Sequence, residues 1–457
     1  MRSRFSSLIP MAATLPILGA LLGASPVLAQ SSSRPNIVVI VSDDHGFGDV
    51  GWNDPEVKTP HLDRLAKEGV RLDRFYANPI CSVTRAALFS GVSSLRTGVN
   101  NRNGLSLDYG ILPEFLRGVG YQTWMFGKWH LGGTEDNRYS GPEYLPQRRG
   151  FDYFYGHLHG AVDYYSHKRK DLDKLDWQRN GEPVNETGFT TDLLADDAIR
   201  MVKQREPDRP FLLYLAFNAV HGPIQPPPSA PDLSKRNKRE LLLANVTHMD
   251  AAIGRLLNTI DKEGLRKNTL VLFFGDNGGQ LSQGASNGPL RGEKGNTFEG
   301  GIRVPAAIRW DGVVQSGSTS GQFISVMDVL PTLCAAANVK LDESLSLDGQ
   351  NLWPAIASGK VTPHPPFVMG NKDVACFAEP WKLVTPPGGE PPMLYHILND
   401  PKEQQNVAAD HPEIVAELVK HVSSIEPATK PGKDKNAKGG RKQKKTKPET
   451  SSQRNEP

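Results

Sequence analysis

Ile37-Val38-Val39-Ile40-Val41-Ser42-Asp43-Asp44-His45-Gly46 decides the fold. Five β-branched residues in a row lack the polar alternation of a half-exposed strand, so this strand is buried on both faces, as in a sheet covered by helices on both sides. Phe211-Leu212-Leu213-Tyr214-Leu215-Ala216 and Leu270-Val271-Leu272-Phe273-Phe274 repeat the pattern. Between them Leu241, Leu242, Val246, Met249, Ile253, Leu256, Leu257 and Ile260 recur at three-and-four spacing, with Gly264 placed to end the helix. Buried strands alternating with amphipathic helices predict an α/β domain built on a large, mixed, mainly parallel sheet sandwiched by helices.

The 457 residues are 38% hydrophobic and 23% charged, with 17 Phe and 7 Trp, which excludes wholesale disorder and a polytopic membrane protein. Three cysteines exclude a disulfide scaffold. Removing the +2 of residues 1–29 and the +7 of residues 430–457 from the net +3 leaves about −6 for the body. The basic balance belongs to a tail, and no nucleic-acid-binding body is inferred from it.

Arg2 and Arg4, the apolar stretch around Leu15 to Leu22, and Val27-Leu28-Ala29 predict a signal peptide over 1–29 and an exported protein, periplasmic or secreted, with no stable membrane insertion. The large domain is expected over 34–360. Near Val361 a Pro-rich stretch leads to strand-like Trp381-Lys382-Leu383-Val384 and Met393-Leu394-Tyr395-His396-Ile397, then an amphipathic helix from Pro412 to Val422. This predicts a small antiparallel-sheet-plus-helix subdomain over 361–426, and the Lys-rich remainder, 427–457, is expected to be disordered.

Chemistry clusters at strand ends. Asp43-Asp44 follows the first strand and Asp276-Asn277-Gly278-Gly279 the third, where open α/β folds bind ligands. Carboxylate and amide oxygens are the hard donors that Ca²⁺ or Mg²⁺ prefers, although Asp-Asn-Gly-Gly alone is also a common turn. Cys81 opens Cys81-Ser82-Val83-Thr84-Arg85, with Arg85 one turn on. Both a structural cysteine and an anion site at a helix start fit that spacing. Lys128 and His130 stand two apart in Gly127-Lys128-Trp129-His130, His221 follows the second strand, and Lys294 lies beyond Asp276-Asn277 in a block running to Pro305.

Taken in order, these segments resemble the type I sulfatases of the alkaline phosphatase superfamily. The likeness runs from Pro35 through Asp43-Asp44, Cys81 to Arg85, Gly-Lys-Trp-His, His221, Asp276-Asn277-Gly278 and the Lys294 to Pro305 block to a closing Tyr395-His396-Ile397-Leu398-Asn399-Asp400-Pro401-Lys402-Glu403. Gly150-Phe151-Asp152-Tyr153-Phe154-Tyr155-Gly156, Asp163-Tyr164-Tyr165-Ser166-His167 and Pro289-Leu290-Arg291-Gly292 are most similar to the arylsulfatase B, or N-acetylgalactosamine-4-sulfatase, group.

The resemblance implies an exported sulfatase acting on sulfated carbohydrate or aryl sulfates. It implies that a formylglycine-generating enzyme, or an equivalent, converts Cys81 to formylglycine during maturation. One hydroxyl of the hydrated aldehyde then attacks sulfur, and the second allows sulfate to be expelled. It implies Ca²⁺, with Mg²⁺ the alternative, on Asp43, Asp44, Asp276, Asn277 and the residue at 81. Arg85, Lys128 and Lys294 would neutralise the nucleophile and sulfate oxygens, His130 would assist elimination, and His221 with Lys294 would protonate the leaving oxygen.

One position departs from the family signature: Val83 stands where Pro or Ala is usual. That keeps open a catalytically silent anion-binding homologue. A phosphatase or phosphonate hydrolase of the same superfamily is the other alternative, although those sites generally use Ser or Thr, or two zinc ions. The loops 136–149 and 155–174 are expected to carry specificity, with His157, His159, Tyr164, Tyr165 and His167 as candidate sugar contacts. Cys334 and Cys376 are expected to be free or in the core, and Asn185 and Asn245 stand in glycosylation sequons.

Overall fold

Asn36–Ser42 is buried along its whole length, and its side chains divide between two cores: Ile37, Val39 and Val41 face one, Val38 and Ile40 the other. The period of two thus places an apolar layer on each side of one sheet. In the computed structural model, residues 34–425 are described apart from 101, 102, 136, 170 and 236. The signal-peptide and basic-tail expectations, and the Asp136 end of one specificity loop, lie outside the described residues.

Among the described residues the main sheet has ten strands, ordered Ser318–Ser325, Val70–Tyr76, Ala306–Arg309, Thr269–Gly275, Asn36–Ser42, Phe211–Ala216, Gln122–Lys128, Tyr153–His157, Gln178–Arg179 and Glu182–Pro183. The run from Thr269–Gly275 to Tyr153–His157 is parallel throughout, while Ala306–Arg309 is antiparallel to both neighbours. Helices Cys81–Ser90, Leu112–Gly118 and Val329–Ala336 cover one face; Pro60–Glu68, Thr190–Gln204 and Lys238–Lys262 cover the other. The expected mixed, mainly parallel sheet between helices is present.

Helix Lys238–Lys262 follows the predicted periodicity, burying Leu242, Val246, Met249, Ile253, Leu256, Leu257 and Ile260. The Asn237 side chain caps it by accepting the Glu240 N–H. Gly264, at φ +72°, takes the left-handed turn that ends it. Asn245 lies inside this helix, buried, its Nδ2 donating to Gln225 O at 2.9 Å. It is therefore no glycan acceptor in the folded chain.

The C-terminal layer is a four-stranded antiparallel meander, Phe367–Gly370, Val374–Ala378, Trp381–Thr385 and Met393–His396, followed by helix Pro412–Ser424. Alternation again sorts its faces. Phe367, Met369, Ala375 and Phe377 join the core of the large sheet, whereas Val368, Cys376, Leu383 and Leu394 pack with Leu418 of the helix. Cys334 and Cys376 are buried free thiols in different clusters, each pushed up to about 12 by burial. No helix of the described residues is long and apolar enough to cross a membrane.

Candidate active site

Parallel pairing sets Ser42 opposite Gly275, so Asp43-Asp44 and Asp276-Asn277 leave adjacent strands side by side. The Asp44 amide donates to Asp276 Oδ1 at 3.1 Å, and Asn277 Nδ2 donates to Asp44 Oδ1 at 2.9 Å. All four side chains are buried, yet neither Asp43 Oδ1 nor Asn277 Oδ1 receives a hydrogen bond. A buried oxygen without a donor is costly. Converging oxygens of this kind fit a hard divalent cation, because they are the ligand type such ions take.

Three cations bracket the carboxylates. Lys128 Nζ lies 2.6 Å from Asp43 Oδ2, Arg85 Nη2 2.7 Å from Asp276 Oδ2 and Lys294 Nζ 2.7 Å from Asp44 Oδ2. Burial works to raise the Asp43 carboxyl, but Lys128, His221, Arg85 and Lys294 outweigh it and hold Asp43 well below the usual range. Burial, with the Asp43 charge beside it, pushes Asp276 up to about 7. Arg85 also donates to Lys128 O at 2.9 Å and Tyr214 Oη at 3.3 Å, which ties the helix to two strands of the sheet.

Cys81 is the first residue of that helix, entered through extended Ile80. Its Sγ, one oxygen of Asp43 and one of Asp276 lie within 4.8 Å of one another. On the other side it meets His130 Nδ1 at 3.4 Å. Burial raises the thiol above its ordinary value, so unmodified Cys81 is protonated at neutral pH and a poor nucleophile. His130 is driven well below the usual imidazole range by burial, then by Lys128 and Arg85. It is held neutral and able to accept a proton. Gly160 presses on its ring: a Cβ there would stand 2.6 Å from Cε1. Val83 is buried within the same helix, so the folded core accommodates it.

His221 emerges after Phe211–Ala216. Its Nδ1 meets Gly222 O at 2.6 Å, which makes Nδ1 the protonated nitrogen and turns Nε2 toward Asp44 Oδ2, 3.7 Å away. Burial lowers its pKa, against the pull of Asp44 and Asp43. Cys81, Arg85, Lys128, His130, His221, Lys294 and the four oxygen donors therefore converge on one end of the sheet.

The candidate sugar contacts divide. His159 is partly exposed, with Nδ1 on Asp176 Oδ2 at 2.8 Å, and Tyr165 is 42% exposed. His157 and Tyr164 are buried, at 0% and 1%, and His167 is buried against Trp177. These three present no open face to a sugar. His157 is the last residue of a buried strand rather than a loop residue, and is pushed down to about 4 by burial. The Tyr164 hydroxyl turns inward to backbone carbonyls. Sequence reasoning passed over Asn218, whose amide is buried with neither Oδ1 nor Nδ2 hydrogen-bonded. Its only signal is its place three residues before His221 in the same strand-end segment.

With this geometry in view, the sulfatase family model matches residues 35–339. The chain belongs to the sulfatase family. It is 34% identical to the N-acetylgalactosamine-6-sulfatase of Homo sapiens over 73% of this chain and 68% of that protein. It is 32% identical to the arylsulfatase A of Bos taurus over 90% of this chain and 89% of that protein. The crystal structure of Ps i-CgsB in complex with k-i-k-neocarrahexaose superposes with a TM-score of 0.76 at 32% identity, covering 86% of this chain and 92% of that one. This sulfatase is a sulfuric ester hydrolase, and the buried acidic cluster at Asp43, Asp44 and Asp276 is a candidate site for a divalent cation.

Proposed function

We propose that this sulfatase is exported and hydrolyses sulfate esters of carbohydrate, using a formylglycine made from Cys81 and a Ca²⁺ held by Asp43, Asp44, Asp276 and Asn277. The observation that carries the reading is the pair of donor-less buried oxygens, Asp43 Oδ1 and Asn277 Oδ1, in the cluster where Cys81 meets Asp43 and Asp276. A bound Ca²⁺ would supply positive charge for the nucleophile and the sulfate oxygens. A hydrated formylglycine would supply two geminal hydroxyls, one to attack sulfur and one to expel sulfate. Carbohydrate as substrate is supported by relatives named for N-acetylgalactosamine 6-sulfate and by a neighbour whose complex holds a neocarrahexaose.

The chain's own groups then have distinct tasks. Arg85, Lys128 and Lys294 offset negative charge on the sulfate and on position 81. Neutral His130 takes a proton from the group at position 81, which its Nδ1 faces. His221, with Nδ1–H committed to Gly222 O, would carry the leaving oxygen's proton on Nε2 as the imidazolium, the form that Asp44 and Asp43 favour. A sugar alkoxide is a strong base and leaves poorly without that proton. His159 and Tyr165 stand on the solvent side as sugar contacts. Residues 34–360 would form the catalytic domain and 361–426 its small C-terminal partner.

Sulfate release from a panel of sulfated mono- and disaccharides and 4-nitrophenyl sulfate tests the proposal. Turnover should stop on chelation and return with Ca²⁺ or Mg²⁺. Faster hydrolysis of the matching phosphate monoesters, or rescue by Zn²⁺ alone, would refute it.

A further inference from the structure

Tyr164 is buried beside the site without facing it. Its Oη lies 3.0 Å from Asn218 O and 3.0 Å from His221 O. One hydroxyl proton therefore spans two carbonyls at the ends of a single turn, and that turn is closed from within by the His221 N–H donating to Asn218 O at 2.9 Å. The ring stacks on Phe189 with centroids 5.1 Å apart, which fixes where the hydroxyl sits.

Neighbouring groups hold the far side of the same loop. The Tyr164 N–H donates to Gln225 Oε1 at 2.7 Å, and Gln225 Nε2 donates to Asp163 Oδ2 at 2.9 Å. Tyr165 Oη donates to Pro226 O at 2.7 Å. Residues 163–165 thus grip the chain at Asn218, His221, Gln225 and Pro226, on both sides of the imidazole. Tyr165 of this grip and the adjoining Ser166 are exposed at the surface.

We propose that Tyr164 is a positioning residue for His221: its hydroxyl holds the His221 backbone so that Nε2 stands where the leaving oxygen needs a proton. This rests on the reading of His221 as the acid. It replaces a sugar contact with a role exerted through the backbone, and it links the exposed 163–166 segment to proton delivery. A displacement of about 1 Å in a catalytic group can cost ~10²-fold, so losing the hydroxyl that tethers both carbonyls has a kinetic cost.

The test uses the full-length, Ca²⁺-loaded protein and four forms: wild type, Tyr164→Phe, His221→Ala and the double variant. Each is assayed on a sulfated sugar and on 4-nitrophenyl sulfate, whose leaving group needs no proton. Phe keeps the stack on Phe189. Tyr164→Phe should lower kcat on the sugar sulfate about 10- to 100-fold with KM little changed, and lower aryl turnover by no more than about threefold. His221→Ala should show the same split more strongly, and the double variant should be no worse than His221→Ala, because both remove one function. Equal losses on both substrates for Tyr164→Phe, or losses that multiply in the double variant, would overturn the proposal while leaving the acid assignment in place. Absence of any split in His221→Ala would overturn both.

Discussion

Lys382→Met is expected to be among the most destabilising single changes in this protein. Lys382 Nζ lies 2.9 Å from Glu299 Oε1 and 2.7 Å from Glu403 Oε1, and all three side chains are 0% exposed. It joins the C-terminal sheet to the segment that carries Lys294. Glu299 is also held by Tyr76 Oη at 3.2 Å and Arg303 Nη1 at 3.5 Å, and its own N–H donates to Glu403 Oε2 at 2.7 Å. Removing the ammonium leaves the buried Glu403 carboxylate without its cation, while Glu299 keeps Arg303, and stranding a buried charge costs roughly 3–5 kcal/mol. Burial already pushes Glu403 up to about 7, with Lys382 opposing and Glu299 adding to the rise.

A carboxyl whose folded value exceeds its unfolded one binds a proton on folding, so stability is lost as pH rises from about 4.5 to beyond 7. Without Lys382 the Glu403 value climbs further, and that loss extends to higher pH. Urea unfolding at pH 5.5 and pH 8 should show the variant's deficit growing by about 1–2 kcal/mol between the two, because over that range the carboxyl ionises in the wild-type fold and in the unfolded chain but is held protonated in the folded variant. Adding Glu403→Gln should recover part of the deficit at pH 8. A deficit under about 1 kcal/mol at pH 8, or one equal at both values, would refute the argument that an uncompensated charge is the cause.

Cys81→Ala should fold and retain Ca²⁺ on the remaining ligands yet release no sulfate above background, checked by calcium titration beside a sulfate assay. Asn277→Ala removes one donor-less oxygen and should weaken Ca²⁺ by about tenfold or more in isothermal titration. Gly278→Ala should cut both stability and turnover, because its Cβ would stand 1.9 Å from Gly300 O; thermal unfolding and kcat should fall together. His159→Ala should raise KM for sugar sulfates and leave 4-nitrophenyl sulfate unaffected, as expected of a rim contact, in steady-state kinetics.

The central sheet and the oxygen cluster of Asp43, Asp44, Asp276 and Asn277 were legible for one reason. In a parallel α/β sheet, a fully buried strand reads as an unbroken apolar run, and the site begins where that run stops, as at Ser42-Asp43-Asp44 and Phe274-Gly275-Asp276-Asn277. Strands without such a run escaped. Val70–Tyr76 carries Arg71, Asp73 and Arg74, and Ser318–Ser325 is polar for half its length; each is a strand because of its pairing partner. Phe367–Gly370 and Val374–Ala378 are too short to show a period. His157 and Tyr164 were misplaced because burial depends on where Trp177 and Phe189 fold against them. The Glu299–Lys382–Glu403 triad joins residues 83 and 104 positions apart, a separation at which no local pattern operates.

The chemistry of the site turns on the chemical state of position 81. The buried thiol of Cys81, raised above its ordinary value by burial, is unsuited to attack sulfur, and Val83 stands in the segment that the proposed maturation enzyme would have to read. The most direct measurement is the mass of the peptide containing Cys81, isolated from protein whose sulfatase turnover has been determined. Active protein should carry that peptide about 18 Da lighter than the thiol form, by covalent arithmetic, in a fraction that tracks specific activity across preparations. An unmodified Cys81 in protein that turns over sulfate esters at full rate would contradict the account.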